Sequence, residues 1–155
     1  MPRPSWDEYF MNLAHLAATR STCLRRQVGA VIVNDRMVLS TGYNETPRGR
    51  PNCGDGGCER CRSSAAAGTA LDTCLCLHAE QNAIIQAAYH GVRIPGATLY
   101  CTHQPCLTCA KMIVNAGLVR IVYGAPYPDP VAERLLRDAA IDLARYPPAA
   151  VPPRA

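Results

Sequence analysis

His78 and Glu80 stand two residues apart in "LHAEQNAIIQAA" (77–88), at the start of an apolar run with helical spacing. Further on, "PCLTC" places Cys106 and Cys109 in a Cys-x-x-Cys pair directly after Pro105. Each feature alone is ambiguous: a single helical histidine is usually a satisfied core or surface group, and a single Cys-x-x-Cys can be redox-active or structural. Together, one imidazole and two thiolates supply three ligands for tetrahedral zinc and leave the fourth position to water. A purely structural zinc takes four protein ligands, whereas here the spare polar group is a carboxylate. Zinc in such a site lowers the pKa of its water toward ~7, and an unligated Glu80 is free to carry protons. The residue types therefore point to hydrolysis.

The elements that must position these groups are legible from periodicity. "SWDEYFMNLAHLAATRS" predicts a helix over about 5–20, with Ser5 as N-cap and an acidic first turn. "VGAVIVNDRMVLSTGYN" reads as a hairpin turning at Asn34-Asp35. Helices follow over 78–90 and 106–116, so both halves of the metal set fall at helix N-termini, whose partial positive charge favours thiolates. Strands are expected at 97–102 and in "LVRIVYG", and a last amphipathic helix at 130–145. Strands alternating with helices indicate a layered α/β domain, expected over 1–146, with 147–155 as a proline-rich tail. Residues 46–72, rich in Pro, Gly, Arg and Cys, show no period; a loop of that length is usually functional or held by something.

Composition narrows the function. The net charge is +4, and all but one of the 16 basic residues are arginine. No block of like charge and no basic or aromatic stripe resembles a surface for long nucleic acids. No apolar run reaches the ~18–20 residues of a membrane span, and "MPRPSWDEYF" lacks the layout of a secretory signal, so a cytoplasmic protein with no membrane partner is expected. In such a chain nine cysteines favour metal or catalysis over disulfides.

The spacing H-x-E followed by P-C-x-x-C is a signature of zinc deaminases acting on nucleobases. With "CLRRQVGAVIV", "TGYN", "HAEQNAI", "THQPCLTCAKMIVNAG" and "IVYG", the chain resembles the deoxycytidylate branch of the cytidine/deoxycytidylate deaminase superfamily. The resemblance runs from "SWDEYFM" to "YPDP". It implies a three-layer α/β/α fold with a central five-stranded mixed sheet. It also implies zinc on His78, Cys106 and Cys109, Glu80 as proton shuttle, and conversion of dCMP and water to dUMP and ammonia. Asn44 and the backbone N–H of Ala79 would meet the pyrimidine, and a homo-oligomer, hexamer or dimer, would form. Cys23, Cys53, Cys58 and Cys74 resemble a second, structural zinc site found in part of that branch, with Cys61 as the rival fourth ligand. Cys76 and Cys101 read as small packing residues.

Arg25, Arg26, Arg48 and Arg50 are candidates for the substrate phosphate, and spacing does not choose among them. The branch often has glycine after "GYN", in a segment linked with dCTP and dTTP regulators. Here Glu45 takes its place, which predicts a weakened or lost regulatory response, since a carboxylate repels phosphate. The rival enzyme reading is a deaminase of another nucleotide or base: CMP, a 5-substituted dCMP or a specialised-metabolism intermediate. The non-enzyme reading is a zinc-stabilised binding module, which has no use for Glu80.

Overall fold

The structure, a computed structural model, describes residues 2–147. The expected tail therefore lies outside the described residues, Pro147 excepted. Helix α1 (Trp6–Ala18) begins at Ser5, whose side chain accepts from Glu8 N at 3.1 Å, with Asp7 and Glu8 complementing the dipole in the first turn. Strands β1 (Gly29–Asn34) and β2 (Met37–Tyr43) form the expected hairpin. Its turn falls one residue later than the sequence implies, at Asp35 and Arg36, both with positive φ (48° and 61°) as a two-residue primed turn requires. After the short helix α2 (Glu59–Arg62) come α3 (Ala79–Tyr89), β3 (Thr98–His103), α4 (Leu107–Asn115), β4 (Arg120–Ala125), α5 (Pro130–Asp138) and β5 (Asp142–Arg145).

The five strands lie in the order β2-β1-β3-β4-β5, antiparallel from β2 to β3 and parallel from β3 to β5. Alternate residues of each central strand feed opposite layers. Val31, Val33, Tyr100 and Val122 pack with Phe10, Met11 and Ala14 of α1. Ala30, Ile32, Leu99, Cys101 and Ile121 join the layer of α3, α4 and α5. The result is the expected three-layer sandwich with a mixed sheet.

One element differs from the sequence reading. The helix expected over 130–145 stops at Asp138, and residues 142–145 form the edge strand β5. Ala140 turns the chain with φ 56°, and Arg120 reaches across to Asp142 at 3.2 Å. Four residues without β-branched side chains carry too little strand signal to separate them from the helical pattern before them.

Two local features brace the sheet. Gly42 lets β2 touch the first turns of α3: a Cβ there would lie 2.3 Å from Ala79 O and 2.4 Å from Ala83 N. Gly42→Ala must push α3 outward, and is expected to cost about 2–3 kcal/mol by overpacking. Chemical denaturation of the variant measures this.

On the opposite face, Arg120 makes a bidentate pair with Asp7, both bonds 2.9 Å, and Tyr100 OH donates to Asp7 Oδ1 at 2.7 Å. The Arg120 bond is the largest cause holding the Asp7 carboxyl below its ordinary 3.8; burial opposes it and Tyr100 assists. A carboxylate depressed in the folded state contributes stability that is fully present above its unfolded pKa and is lost as pH falls through the folded one. Denaturant titrations should therefore show a loss of roughly 1 kcal/mol as pH drops below about 4, absent in Asp7→Asn.

Candidate metal centre and its cavity

His78 is the N-cap of α3 and Cys106 the N-cap of α4. Gln81, in the first turn of α3, accepts from His78 N through Oε1 at 2.7 Å, which fixes the His78 backbone and leaves the imidazole available. Asp129 does the equivalent work for α4. One carboxylate oxygen caps α5 through Ala132 N at 3.0 Å, and the other accepts from Leu107 N at 3.1 Å. The start of α4, with its Cys-x-x-Cys, is thereby tied to α5. Neither Gln81 nor Asp129 was named from the sequence, although "DP" at 129–130 is a cap followed by proline at the first helical position, a readable signal.

His78 Nδ1 lies 3.5 Å from Cys106 Sγ and 3.3 Å from Cys109 Sγ. A tetrahedral zinc with ordinary Zn–N and Zn–S bonds sets its N···S edges at about 3.6 Å, so the trio fits that ion. The hydrogen bond with Cys109 pulls the Cys106 thiol down to about 4 against the opposing effect of burial, with His78 adding to the pull. That sulfur in turn raises the His78 imidazole. The same hydrogen bond, together with burial, pushes the Cys109 thiol up, so the two sulfurs share one negative charge beside the imidazole.

Glu80 is 4 % exposed, and burial pushes its carboxyl upward. It lies beside Cys109 and Cys101, the latter a fully buried packing residue as expected. A buried carboxyl beside a three-ligand set, and outside that set, is placed to take or give a proton.

The trio opens on a cavity of about 310 Å³ whose lining includes His78, Ala79, Glu80 and Cys106. Asn44 lines it too. Its Oδ1 accepts from Val28 N at 2.8 Å and its Nδ2 donates to Arg26 O at 2.6 Å. One N–H and one lone pair of the amide remain for a ligand. Ala79 N belongs to the first turn of α3, whose amides have no intrahelical acceptor.

The arginine candidates separate. Arg26 lines the cavity and lies over Tyr127, 5.7 Å from the ring centroid. Arg25 also lines it, but its guanidinium donates to the carbonyls of Cys61, Arg60 and Ser63. Arg48 is a correction: it stacks on Tyr89 at 4.5 Å and donates to Gln86 Oε1, on the outer side of α3 and outside the cavity. Arg50, also exposed, is likewise absent from the lining. His103, Gln104 and Tyr127 complete that end and were not singled out from sequence, because nothing local distinguishes them.

The cysteines outside the trio require a second correction. The expected quartet of Cys23, Cys53, Cys58 and Cys74 divides two and two. Cys23 and Cys53 gather with Cys61 and Cys76, while Cys58 and Cys74 gather with the same Cys61 and Cys76. Cys76, read as a packing residue, belongs to both groups; the alternation Cys74-x-Cys76 in extended chain was the available sign, since it puts both sulfurs on one side. The segment 46–72 is not structureless. It carries α2 and short 3-10 turns, and the buried Arg60 guanidinium donates to Thr69 O and Ala66 O.

An α/β/α sheet presenting His and two Cys from two helix N-termini, with a buried carboxyl beside them, defines a zinc-site class with acid–base capacity. The chain belongs to the cytidine and deoxycytidylate deaminase zinc-binding family, whose sequence model matches residues 4–125. It is 50% identical over 147 residues to the deoxycytidylate deaminase of Schizosaccharomyces pombe, covering 94% of this chain and 45% of that one. It thus spans less than half the length of that relative. It is 40% identical to the ComE operon protein 2 of Bacillus subtilis, covering 92% of this chain and 72% of that protein. Among solved structures, the dCMP deaminase of cyanophage S-TIM5 in complex with dCMP and dUMP superposes with a TM-score of 0.75 at 31% identity, covering 94% of this chain and 100% of that one. Among the described residues no helix is long and apolar enough to cross a membrane.

Proposed function

We propose that this chain catalyses hydrolytic deamination of dCMP to dUMP and ammonia, with His78, Cys106 and Cys109 holding one zinc ion. The observation that carries the reading is Glu80, a buried carboxyl next to the trio that no structural metal site needs. Zinc, when bound there, supplies a water acidified enough to attack at neutral pH. Glu80 accepts a proton from the attacking water and delivers it to N3 of the pyrimidine as oxygen joins C4. The same carboxyl then carries the second proton to the amino group, which leaves as ammonia. Atoms balance: one water is consumed, one C–N bond breaks, and one carbonyl forms.

Asn44 and Ala79 N orient the base, Asn44 through the donor and acceptor its backbone bonds leave over, Ala79 through a first-turn amide. Arg26 is the phosphate contact, since it lines the cavity while Arg25 spends its donors on backbone carbonyls. The names of the S. pombe and cyanophage relatives support dCMP over other nucleotides. A homo-oligomer is part of the same reading. The test is an ammonia-release screen across cytosine, adenine and guanine nucleotides and nucleosides: dCMP should lead, and a preference for CMP, a free nucleoside or a purine would sink the assignment.

Regulation belongs to the same assay. Glu45 is held in an antiparallel bridge with Leu77, Leu77 N donating to Glu45 O at 2.8 Å. Extended backbone there is compatible with any residue, and the carboxylate opposes triphosphate. Addition of dCTP is expected to leave the rate with dCMP unchanged within about twofold. Strong activation would contradict it.

A further inference from the structure

Six of the nine cysteines lie together away from the trio, and five of the six are buried. In each of the two overlapping groups of four, all sulfurs lie within 4.8 Å of one another. We propose that this cluster is a binuclear zinc–thiolate site: Cys23 and Cys53 bind one ion, Cys58 and Cys74 the other, and Cys61 and Cys76 bridge both.

The count matches this arrangement. Two tetrahedral ions need eight ligand positions, and six thiolates fill them only if two are shared. The groups share two cysteines and no others. The spacing matches as well. At ordinary Zn–S lengths the edges of a tetrahedral thiolate set are about 3.8 Å. Cys23–Cys61 is 3.9 Å, Cys58–Cys74 is 3.8 Å and Cys61–Cys74 is 3.9 Å. Each of these is an edge the arrangement requires: bridge to terminal at the first ion, terminal to terminal and bridge to terminal at the second. A disulfide is excluded for these pairs by the same distances, since its sulfurs lie at about 2.05 Å.

A two-iron, two-sulfide cluster satisfies the observations less well. It uses four cysteines, two on each iron, with inorganic sulfide as the bridge. Here cysteine sulfurs occupy the bridging places. Binding is balanced in charge and protons: six thiols release six protons to solvent as two divalent ions bind, leaving a net charge of −2. The surroundings suit that charge. The amides of Arg25 and Arg26 address Cys23 Sγ, and Leu75 N donates to Cys58 Sγ at 3.4 Å. Arg25 Nε lies 3.0 Å from Cys61 O, which brings a guanidinium to the cluster's edge.

The cluster joins four separate stretches of chain, at residues 23, 53, 58–61 and 74–76, and so fastens the 46–72 segment to the stretches that lead into β1 and α3. Cys23, Cys61, Cys74 and Cys76 also line the cavity beside His78. The proposed site is therefore part of the cavity's wall, yet its metal count is read separately from the catalytic reading.

Zinc content per chain, measured by native mass spectrometry and elemental analysis, tests it. The full chain should hold three zinc ions, and the Cys106→Ser, Cys109→Ser double variant two. The cadmium-substituted chain should give two thiolate-type metal resonances outside the catalytic one. In metal–proton correlation, the β protons of Cys61 and Cys76 should couple to both ions and those of the other four cysteines to one each. Fewer than two zinc ions in the Cys106→Ser, Cys109→Ser double variant, the visible absorption of an iron–sulfide cluster, or Cys61 and Cys76 each coupled to one ion would overturn the proposal. Loss of activity with the zinc count intact would instead count against the catalytic reading alone.

Discussion

Glu80→Gln is expected to lower kcat for dCMP by roughly 10³- to 10⁴-fold, the upper range for loss of a positioned proton carrier. Its KM should change little, because the carboxyl acts on protons in flight and does not hold the ligand at rest. Glutamine keeps the volume of the buried side chain, so folding should survive. Unfolding free energy should rise, since burial disfavours the native carboxylate and a neutral amide avoids that cost. Zinc content should match the parent chain. A steady-state assay of ammonia release beside elemental analysis decides it: full zinc with undiminished turnover would remove Glu80 from the chemistry.

Cys109→Ser should have a comparable effect by a different route. Cys109 is wholly buried, and its sulfur lies 3.3 Å from His78 Nδ1. A serine hydroxyl is a poorer zinc ligand than a thiolate and leaves a shorter, harder oxygen in a place shaped for sulfur. The variant should lose one zinc ion per chain, with activity falling below detection. Added zinc should restore little, in contrast to the parent stripped by a chelator and then reloaded. Retention of the full metal complement would mean that the trio does not bind as a unit.

The centre was legible in the sequence because its parts are local. His78 and Glu80 fall in one helical turn, and Cys106 and Cys109 in another. The helix starts that carry them are marked by periodicity and by Pro105. Only the meeting of the two turns had to be supplied by the fold, and the resemblance supplied it. The partition of the other cysteines was not legible. Which sulfurs meet depends on how the 46–72 segment folds, and that segment has no hydrophobic period to read. Cys76 was misassigned for this reason. Arg48 failed differently: an arginine beside Tyr89 finds a cation–π partner that no spacing rule foresees. Strand β5 was hidden because "IDLAR" extends the alternation of α5 closely enough to pass for another turn of helix.

Two of the stretches that wall the cavity come from unlike parts of the fold. Glu80, His78 and Cys106 come from helices braced on the sheet, whereas Arg60, Ala67, Gly68 and Leu71 come from the 46–72 excursion. On the proposed function, the groups that handle protons and one part of the wall that bounds the ligand are thus encoded in separable stretches of polypeptide, while Asn44, Ala79 and Arg26 lie outside the excursion. Grafting another excursion between the same end points could redirect which base-bearing molecule is admitted while the bond-breaking apparatus stays as it is, a modularity open to natural selection and protein engineers alike.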